Sequence, residues 1–589
     1  MTMSRKVSMG VLVALFVVAL FLRAYRPVSR PDQWFDRSKA FTRALAETDW
    51  AGTYQKIHPG VTTMAISGAA IRVYDAISDT AAIALIDWTV PDYATRYGRR
   101  IAAGIVGLAL VMAGLIIAVA LVLRRLEGWT LALAGAGLLT FSPFYLAEGR
   151  VLHLDALVSS LMLLSALLLL LALESGRRRY LALSGLVGGL ALLTKSPSLF
   201  LVPFTGLALL AYLVRRLRAA WPEHTNGRTR WLAGEVWRGL VSPLLLWLLL
   251  AVLPFALWPA MWVQPLYVVQ KMVKRVDQHL VDGASMRFFA GRIFSDHPPL
   301  LFYPVVMAFK SSFLTLTLVL AALGQYTLWR KRDALPLPPV PFWLLIAYVV
   351  FYTIQMAIGA RQQYRYILPA SVGLEVIAAV GLAGVVELVR RATGGRGSWL
   401  ARSFPAGLLG AGVALQALIA LPYAPDYGAH HNHLLGGNRV AVNVIEIVGQ
   451  NEGIIHVANY LDTQPDAGSL QVGVAPFVDY SLKQYFSGEM PRHMTAEDDF
   501  HLFSVGPLQR SLNLEQWYFA WEAYQGAPPQ VLVVIDGVEV MWLYATRPPT
   551  PYEPVVIRRG GGVGFVVLAW VWAVALAATI GWALRRSGE

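Results

Sequence analysis

The chain has 589 residues, 56% of them hydrophobic and only 15% charged, with a formal net charge of +14. Soluble domains carry roughly a quarter charged residues, so this composition and a mean hydropathy of +0.52 exclude a string of soluble domains and indicate a polytopic membrane protein. The absence of cysteine further excludes disulfides, thiol nucleophiles and cysteine metal sites.

The positive charge is arranged for topology rather than for nucleic acid. Arg124-Arg125, Arg177-Arg178-Arg179, Arg215-Arg216, Arg330-Lys331-Arg332, Arg390-Arg391 and Arg585-Arg586 each follow or precede an apolar run, the pattern of cytoplasmic loops. The first run, 7–23, lies after Arg5 and Lys6 and lacks a small-residue cleavage site, so it reads as a retained helix with a cytoplasmic N-terminus. Residues 24–99 then form an outer loop. Within it Val61–Tyr74 and Ala81–Trp88 are too short to span the bilayer and read as interfacial helices, with Trp88 and Tyr93 at headgroup level.

Further spans are expected at 101–123, 129–147, 155–174, 180–194, 197–214, 240–262, 300–328, 340–358, 366–389, 404–422 and 561–584, about twelve with the first. Alternating them places every basic cluster on the cytoplasmic face, together with both termini of a multi-pass plasma-membrane protein. Thr194-Lys195-Ser196-Pro197 is a tight outer turn. The segment 423–560 reads as a small extracytoplasmic α/β domain, with strands in Leu470–Val478 and Gln530–Tyr544 and a hairpin turn at Asp536-Gly537. His430, His431 and His433 are read there as a solvated junction. Residues 1–422 thus form the membrane domain, and 561–589 a last helix with a basic tail.

Polar residues gather at the outer helix ends. Asp36, in Trp34-Phe35-Asp36, is placed to accept a proton from a hydroxyl or amide, although it also fits an ordinary loop acid. His58-Pro59 offers a rigid kink and a ring suited to phosphate or sugar. Arg150 and Asp155 flank Leu152-His153-Leu154 and read either as a phosphate clamp with its orienting acid or as a structural pair. Lys195, Lys310, Arg361 and Arg365 are cations on the face where topology disfavours them, so they call for an anion: lipid headgroups or a bound polyprenyl phosphate. His297 and Tyr303 open the 300–328 span. Glu375 lies inside its span, where it must pair with a cation or stay protonated.

Four stretches in this order resemble a family. Phe35-Asp36-Arg37-Ser38 followed by His58-Pro59 is similar to the first-loop Asp-Glu and His-Pro motifs of GT-C glycosyltransferases of the protein O-mannosyltransferase and lipid A aminoarabinose transferase type. Glu148–Ala156, Leu192–Pro197 and Tyr364–Pro369 resemble that group's later helix junctions. The resemblance covers about 1–422, and it departs at Arg37, where the second acid of the pair is missing. It implies a GT-C-like helical fold and transfer of a sugar, with inversion, from a polyprenyl-phosphate donor to an acceptor on the outer face. Asp36 is the implied base. Arg150, Lys195, Arg365 and Lys310 are the implied phosphate contacts, with His58, Asp155, His297, Tyr303 and Tyr364 lining the substrate site. The acceptor (protein, lipid or glycan) is left open. Such enzymes can use a divalent metal, for which this sequence supplies no clear ligand set. A transporter or flippase of a lipid-linked sugar is the alternative reading.

Overall fold

The computed structural model describes residues 5–27, 33–56, 58–221, 228–281, 286–295, 299–328, 335–359, 362–393, 399–447, 449–547 and 552–587. Among them nine helices are long and apolar enough to cross a membrane: Val7–Ala24, Arg96–Glu127, Asp155–Ser175, Ser196–Ala220, Arg228–Leu257, Pro339–Ile358, Tyr364–Ala392, Phe404–Tyr423 and Gly564–Arg586. The protein is a multi-pass helical membrane protein with a small sheet near its C-terminal end.

Two of the twelve expected spans are broken. The 300–328 run breaks into Phe302–Lys310 and Phe313–Leu328, which meet at 112°. Ser311 is extended, and Ser312 Oγ accepts from the Thr315 N–H at 3.0 Å, restarting the helix. The 129–147 run breaks at Ser142, because the residue before a proline is pushed out of the helical region. Its longer part, Trp129–Phe141, has 13 residues, about 20 Å of helix. The 180–194 run is a single helix of 17 residues, Arg178–Thr194, with one face buried. Gly185 and Gly189 let it approach the Ser242–Val252 helix so closely that a Cβ would lie 2.8 and 2.3 Å from the Trp247 and Ala251 carbonyl oxygens. Small residues serve helix contacts in this way where no hydrophobic force separates lipid from protein.

The first outer segment is more ordered than a loop. Asp36 sits in the first turn of the Trp34–Ala46 helix. Its buried residues Trp34, Ser38, Phe41 and Thr42 line one face at helical spacing against the Val61–Ile77 helix, where Ser38 Oγ meets Ser67 Oγ at 2.7 Å. Val61–Ile77, expected to lie in the interface, packs Val61, Met64, Ile71 and Tyr74 into the protein.

The outer domain is built on five strands: β3 (Val472–Val474), β4 (Phe500–Ser504), β5 (Val531–Ile535), β6 (Val538–Ala545) and β7 (Val555–Arg559), in the order β3-β4-β6-β5-β7. A separate hairpin, β1 (Arg287–Phe289) with β2 (Arg292–Phe294), precedes them. The β5–β6 turn uses Asp536 and Gly537, both at positive φ (49° and 77°), as a two-residue hairpin of the right twist requires. Strands β4 and β7 carry no turn signal that would have revealed them.

The domain is bonded to the helices at many points. Thr95 caps Arg96–Glu127 by accepting from Gly98 N, and its own N–H donates to the Gln484 carbonyl at 3.0 Å. Gln450 Nε2 reaches Glu148 Oε1 at 3.0 Å. The histidine junction is buried, contrary to the solvated reading: His430, His431 and His433 are each at most 1% exposed. Asn432 donates from its backbone to Phe309 O and from its side chain to Ala308 O. This draws the segment into the seam, while His433 Nε2 meets Asp536 Oδ2 at 3.2 Å.

Two outcomes are expected. In Gly98→Ala the new Cβ would lie 2.1 Å from the Gln484 oxygen, an overpacking of about 1–3 kcal/mol. Hydrogen exchange should rise in 472–545 before it rises in the helices. Burial, reinforced by the neighbouring His433 ring, holds His430 well below its ordinary 6.5. The folded state therefore resists a proton that the unfolded chain accepts. Melting in detergent should fall progressively as the pH drops below the ordinary 6.5, with a shallower slope in His430→Phe.

Candidate active site

Asp155 is the point on which the polar side chains converge. It opens the Asp155–Ser175 helix, whose N-terminal dipole favours a negative charge, and it is 3% exposed. One carboxylate oxygen pairs with Lys195 Nζ. The other lies 2.8 Å from His153 Nδ1 and 3.4 Å from Arg365 Nε. Lys195 is held in the extended link between the Arg178–Thr194 helix and the short 3-10 turn Ser196–Phe200, with its ammonium 4.3 Å above the Tyr366 ring. Arg365 comes from the 3-10 turn Tyr364–Ile367.

His58 joins this group through Ser196, with Nδ1 and Oγ 3.2 Å apart. Its segment is fixed by Gly60 N donating to Thr194 O at 3.1 Å and by Thr62 against Thr194 at 2.6 Å. Gly60 has φ +61°, and a Cβ there would fall 2.2 Å from the Trp34 ring. That ring meets His153 edge-on at 6.3 Å. Three segments far apart in the chain thus place two permanent cations and one imidazole around one carboxylate, with the His58 ring beside Lys195's neighbour Ser196. The net positive charge left among these named side chains suits a phosphate, which matches fixed guanidinium and ammonium donors.

Other expected phosphate contacts are turned to a different task. Arg150 donates to the Leu22 and Arg26 carbonyls and lies 5.1 Å from the Tyr427 ring; burial lowers its pKa. Lys310 donates to Gly428 O at 2.7 Å and stands 5.4 Å from the Tyr364 ring. Both cations bond backbone carbonyls at the seam between helices and outer domain. Tyr303 is fully buried and its hydroxyl accepts from Gln363 N at 3.3 Å; Tyr364 packs on Phe144. His297 and Arg361 lie outside the described residues. Glu375 is met by hydroxyls, Thr315 Oγ1 at 3.0 Å and Ser142, rather than by the cation expected as one of its two options.

Asp36 occupies a second compartment. Two residues along a helix turn the side chain roughly 200°, so Asp36 faces away from the buried Trp34 and is exposed. It lines a cavity of about 540 Å³ together with Tyr97 and outer-domain residues that include Asp479, Tyr480, Lys483 and Arg492. None of Asp155, Lys195, Arg365 or His58 lines this cavity. Arg37, standing where the family has its second acid, rests on the Trp34 ring at 4.6 Å. Among the described residues no three His, Asp or Glu side chains are placed to hold a metal ion, so the donors present do not fit the divalent metal such enzymes can use.

His153 and the outer-domain residues were not singled out as site residues from sequence. The spacing of His153 and Asp155 across a helix start was a usable signal; the outer-domain contacts had none.

Residues 93–247 match the family model of dolichyl-phosphate-mannose-protein mannosyltransferases. The matched segment contains Arg150, His153, Asp155 and Lys195; Asp36, His58 and Arg365 lie outside it. The resemblance to GT-C glycosyltransferases read from the motifs is therefore found again over this part of the chain. Among solved structures, ArnT from Cupriavidus metallidurans bound to undecaprenyl phosphate is 14% identical, with 93% of this chain and 100% of that one covered and a TM-score of 0.43. The Archaeoglobus fulgidus oligosaccharyltransferase in its apo form is 12% identical, with 84% and 65% covered and a TM-score of 0.42. No curated protein sequence matches the chain.

Removing the shared carboxylate should be costly. Asp155→Ala leaves Lys195 and Arg365 side by side without their counter-charge, and stability should fall by about 3–5 kcal/mol. Melting in detergent should detect this, and added inorganic phosphate should recover part of the loss.

Proposed function

We infer that the protein is a membrane glycosyltransferase that moves a sugar from a polyprenyl-phosphate donor to an acceptor hydroxyl, on the face opposite its basic clusters. The observation that carries this reading is the Asp155–Lys195–Arg365 cluster, two of whose members lie in the segment matched by the mannosyltransferase family. Lys195, Arg365 and His58 hold the donor phosphate and stabilise the charge that develops as it leaves. Asp155 fixes Lys195 and Arg365 and keeps them from repelling each other apart.

Asp36 takes the proton. An acceptor oxygen attacks the anomeric carbon, its proton passes to the Asp36 carboxylate, and the bond from that carbon to the phosphate oxygen breaks. The electron pair leaves with the polyprenyl phosphate. Trp34 and Asp36 project to opposite sides of one helical turn, the first toward the cation cluster and the second toward the open cavity. Inversion is the stereochemical outcome that the resemblance to GT-C glycosyltransferases implies for such a displacement. Arg37 cannot share a proton with Asp36, so a single carboxylate serves as base.

A second reading, a flippase of the lipid-linked sugar, is favoured by the two broken helices and the buried Glu375, features common in transporters. One experiment separates the two. Purified protein is given radiolabelled polyprenyl-phosphate hexose in detergent, with a membrane extract as acceptor pool. Wild type should release polyprenyl phosphate and label an acceptor. Asp36→Asn should lose on the order of 10²–10⁴ in rate with donor affinity kept, whereas Lys195→Ala should raise the donor KM by about tenfold or more. Passage of intact donor across vesicles without label transfer would instead support the flippase.

A further inference from the structure

The cavity lined by Asp36 is closed by outer-domain side chains that donor binding leaves without a task. Its volume, about 540 Å³, falls within the roughly 300–1,000 Å³ of small-ligand sites, and it has room for a short saccharide. Asp479 and Tyr480 open a short helix (Asp479–Leu482) that Lys483 follows, and Arg492 comes from the loop beyond. Across from them stand Asp36 and Tyr97, the latter with Lys483 Nζ 5.6 Å from its ring.

This combination has a chemical meaning. Sugar hydroxyls both donate and accept, so they pair with carboxylates that accept and with cations that donate. Two carboxylates and two cations face one another here, and the apolar faces of sugar rings find flat partners in Tyr97 and Tyr480. Tyr480 is 51% exposed. Beside it Phe477 is 52% exposed and sits at φ +68°, a strained conformation for a bulky side chain. Asn451, itself at φ +58°, keeps it there by donating from Nδ2 to Phe477 O at 2.7 Å. The fold thus holds an exposed aromatic, three residues before Tyr480, at an energetic cost.

One way for a peptide to bind here is by adding to a sheet edge. The edge strand beside this cavity is β3, and its free side is already taken: Val472 N donates to Glu489 O at 2.9 Å, and Glu489 N to Leu470 O at 2.8 Å. Asp479 is half-buried and its carboxyl is raised by that burial, which favours hydroxyl partners over a second negative charge.

We propose that this cavity is the acceptor site and that the acceptor is a saccharide, stacked on Tyr480 and Tyr97 and hydrogen-bonded by Asp479, Lys483 and Arg492. One of its hydroxyls reaches Asp36. The catalytic part of this assignment rests on the transferase reading above; saccharide binding in the cavity does not.

The test is binding by the full-length protein in detergent, followed by saturation-transfer NMR. The probes are short manno- and gluco-oligosaccharides and a serine- and threonine-rich peptide. The saccharides should bind, and Tyr480→Ala and Arg492→Ala should each weaken them by about tenfold, with unchanged melting showing that the variants fold. The peptide should give no signal that depends on Tyr480. Saccharide binding indifferent to both variants, no saccharide binding at all, or peptide binding lost in Tyr480→Ala would each overturn the proposal. Tyr480-dependent saccharide binding by a protein that never cleaves the donor would uphold the site while removing the transferase reading, so the two fail separately.

Discussion

A carboxylate buried among helices must be compensated, and in this protein Asp155 is compensated by its near neighbour His153 and by side chains from two other parts of the chain. Removing an ion from water costs several kcal/mol even after the protein relaxes, so His153, Lys195 and Arg365 are not free to take other positions. Their meeting fixes the ends of three helices, Asp155–Ser175, Arg178–Thr194 and Tyr364–Ala392. One carboxylate answers two permanent cations, so the arrangement orders the cations without neutralising them. A pocket for phosphate needs that property: positive charge already in place, with no reorganisation required when the ligand arrives.

The same physics explains the seam above. Arg150, Lys310 and Arg287 are buried cations whose donors reach backbone carbonyls: those of Leu22 and Arg26, of Gly428, and of Gln362. Each such bond ties a helix end to a segment that leads into or supports the outer domain. Because the bonds converge on backbone, they set the position of the chain itself rather than of one side chain. The outer domain is thereby held over the Trp34–Ala46 helix, and the cavity between them becomes a defined volume with Asp36 on one wall.

Most of the membrane architecture was legible because apolar run length and basic flanks are local properties. The Asp536-Gly537 hairpin was legible for a similar reason, since its turn chemistry lies in two adjacent residues. The misreadings share a cause. The breaks in 129–147 and 300–328 depend on Ser142 before Pro143 and on the Ser311-Ser312 pair, short polar interruptions that hydropathy averages over. The histidines at 430–433 look solvated by composition, yet Asn432 bonds to the 308–309 carbonyls and pulls them inward. Arg150 was read as a phosphate contact or a partner of Asp155, and Lys310 as a cation calling for an anion; their donors reach backbone carbonyls. Sequence could not show that the partners are carbonyls distant in the chain. Lys195, Arg365 and Asp155 were each visible as motifs, but that the two cations meet at one carboxylate is a statement about tertiary structure.

Glu375 connects these two levels. The breaks at Ser142 and at Ser312 each free backbone groups inside the helical bundle, and such breaks persist only where other groups satisfy them. Ser142 and Thr315 both bond Glu375, while Ser312 Oγ also donates to Gln416 Oε1 at 2.8 Å. Glu375 lies on the helix Tyr364–Ala392, whose first turn carries Arg365. The helix that delivers Arg365 to Asp155 is therefore tied, through one buried acid, to both broken helices. One of these leads directly into the Arg150–Asp155 junction, and the other carries Lys310 to the seam. Breaking the two helices is what allows their polar ends to stop at the depth of the site, and Glu375 is the group that makes both breaks stable within the same bundle.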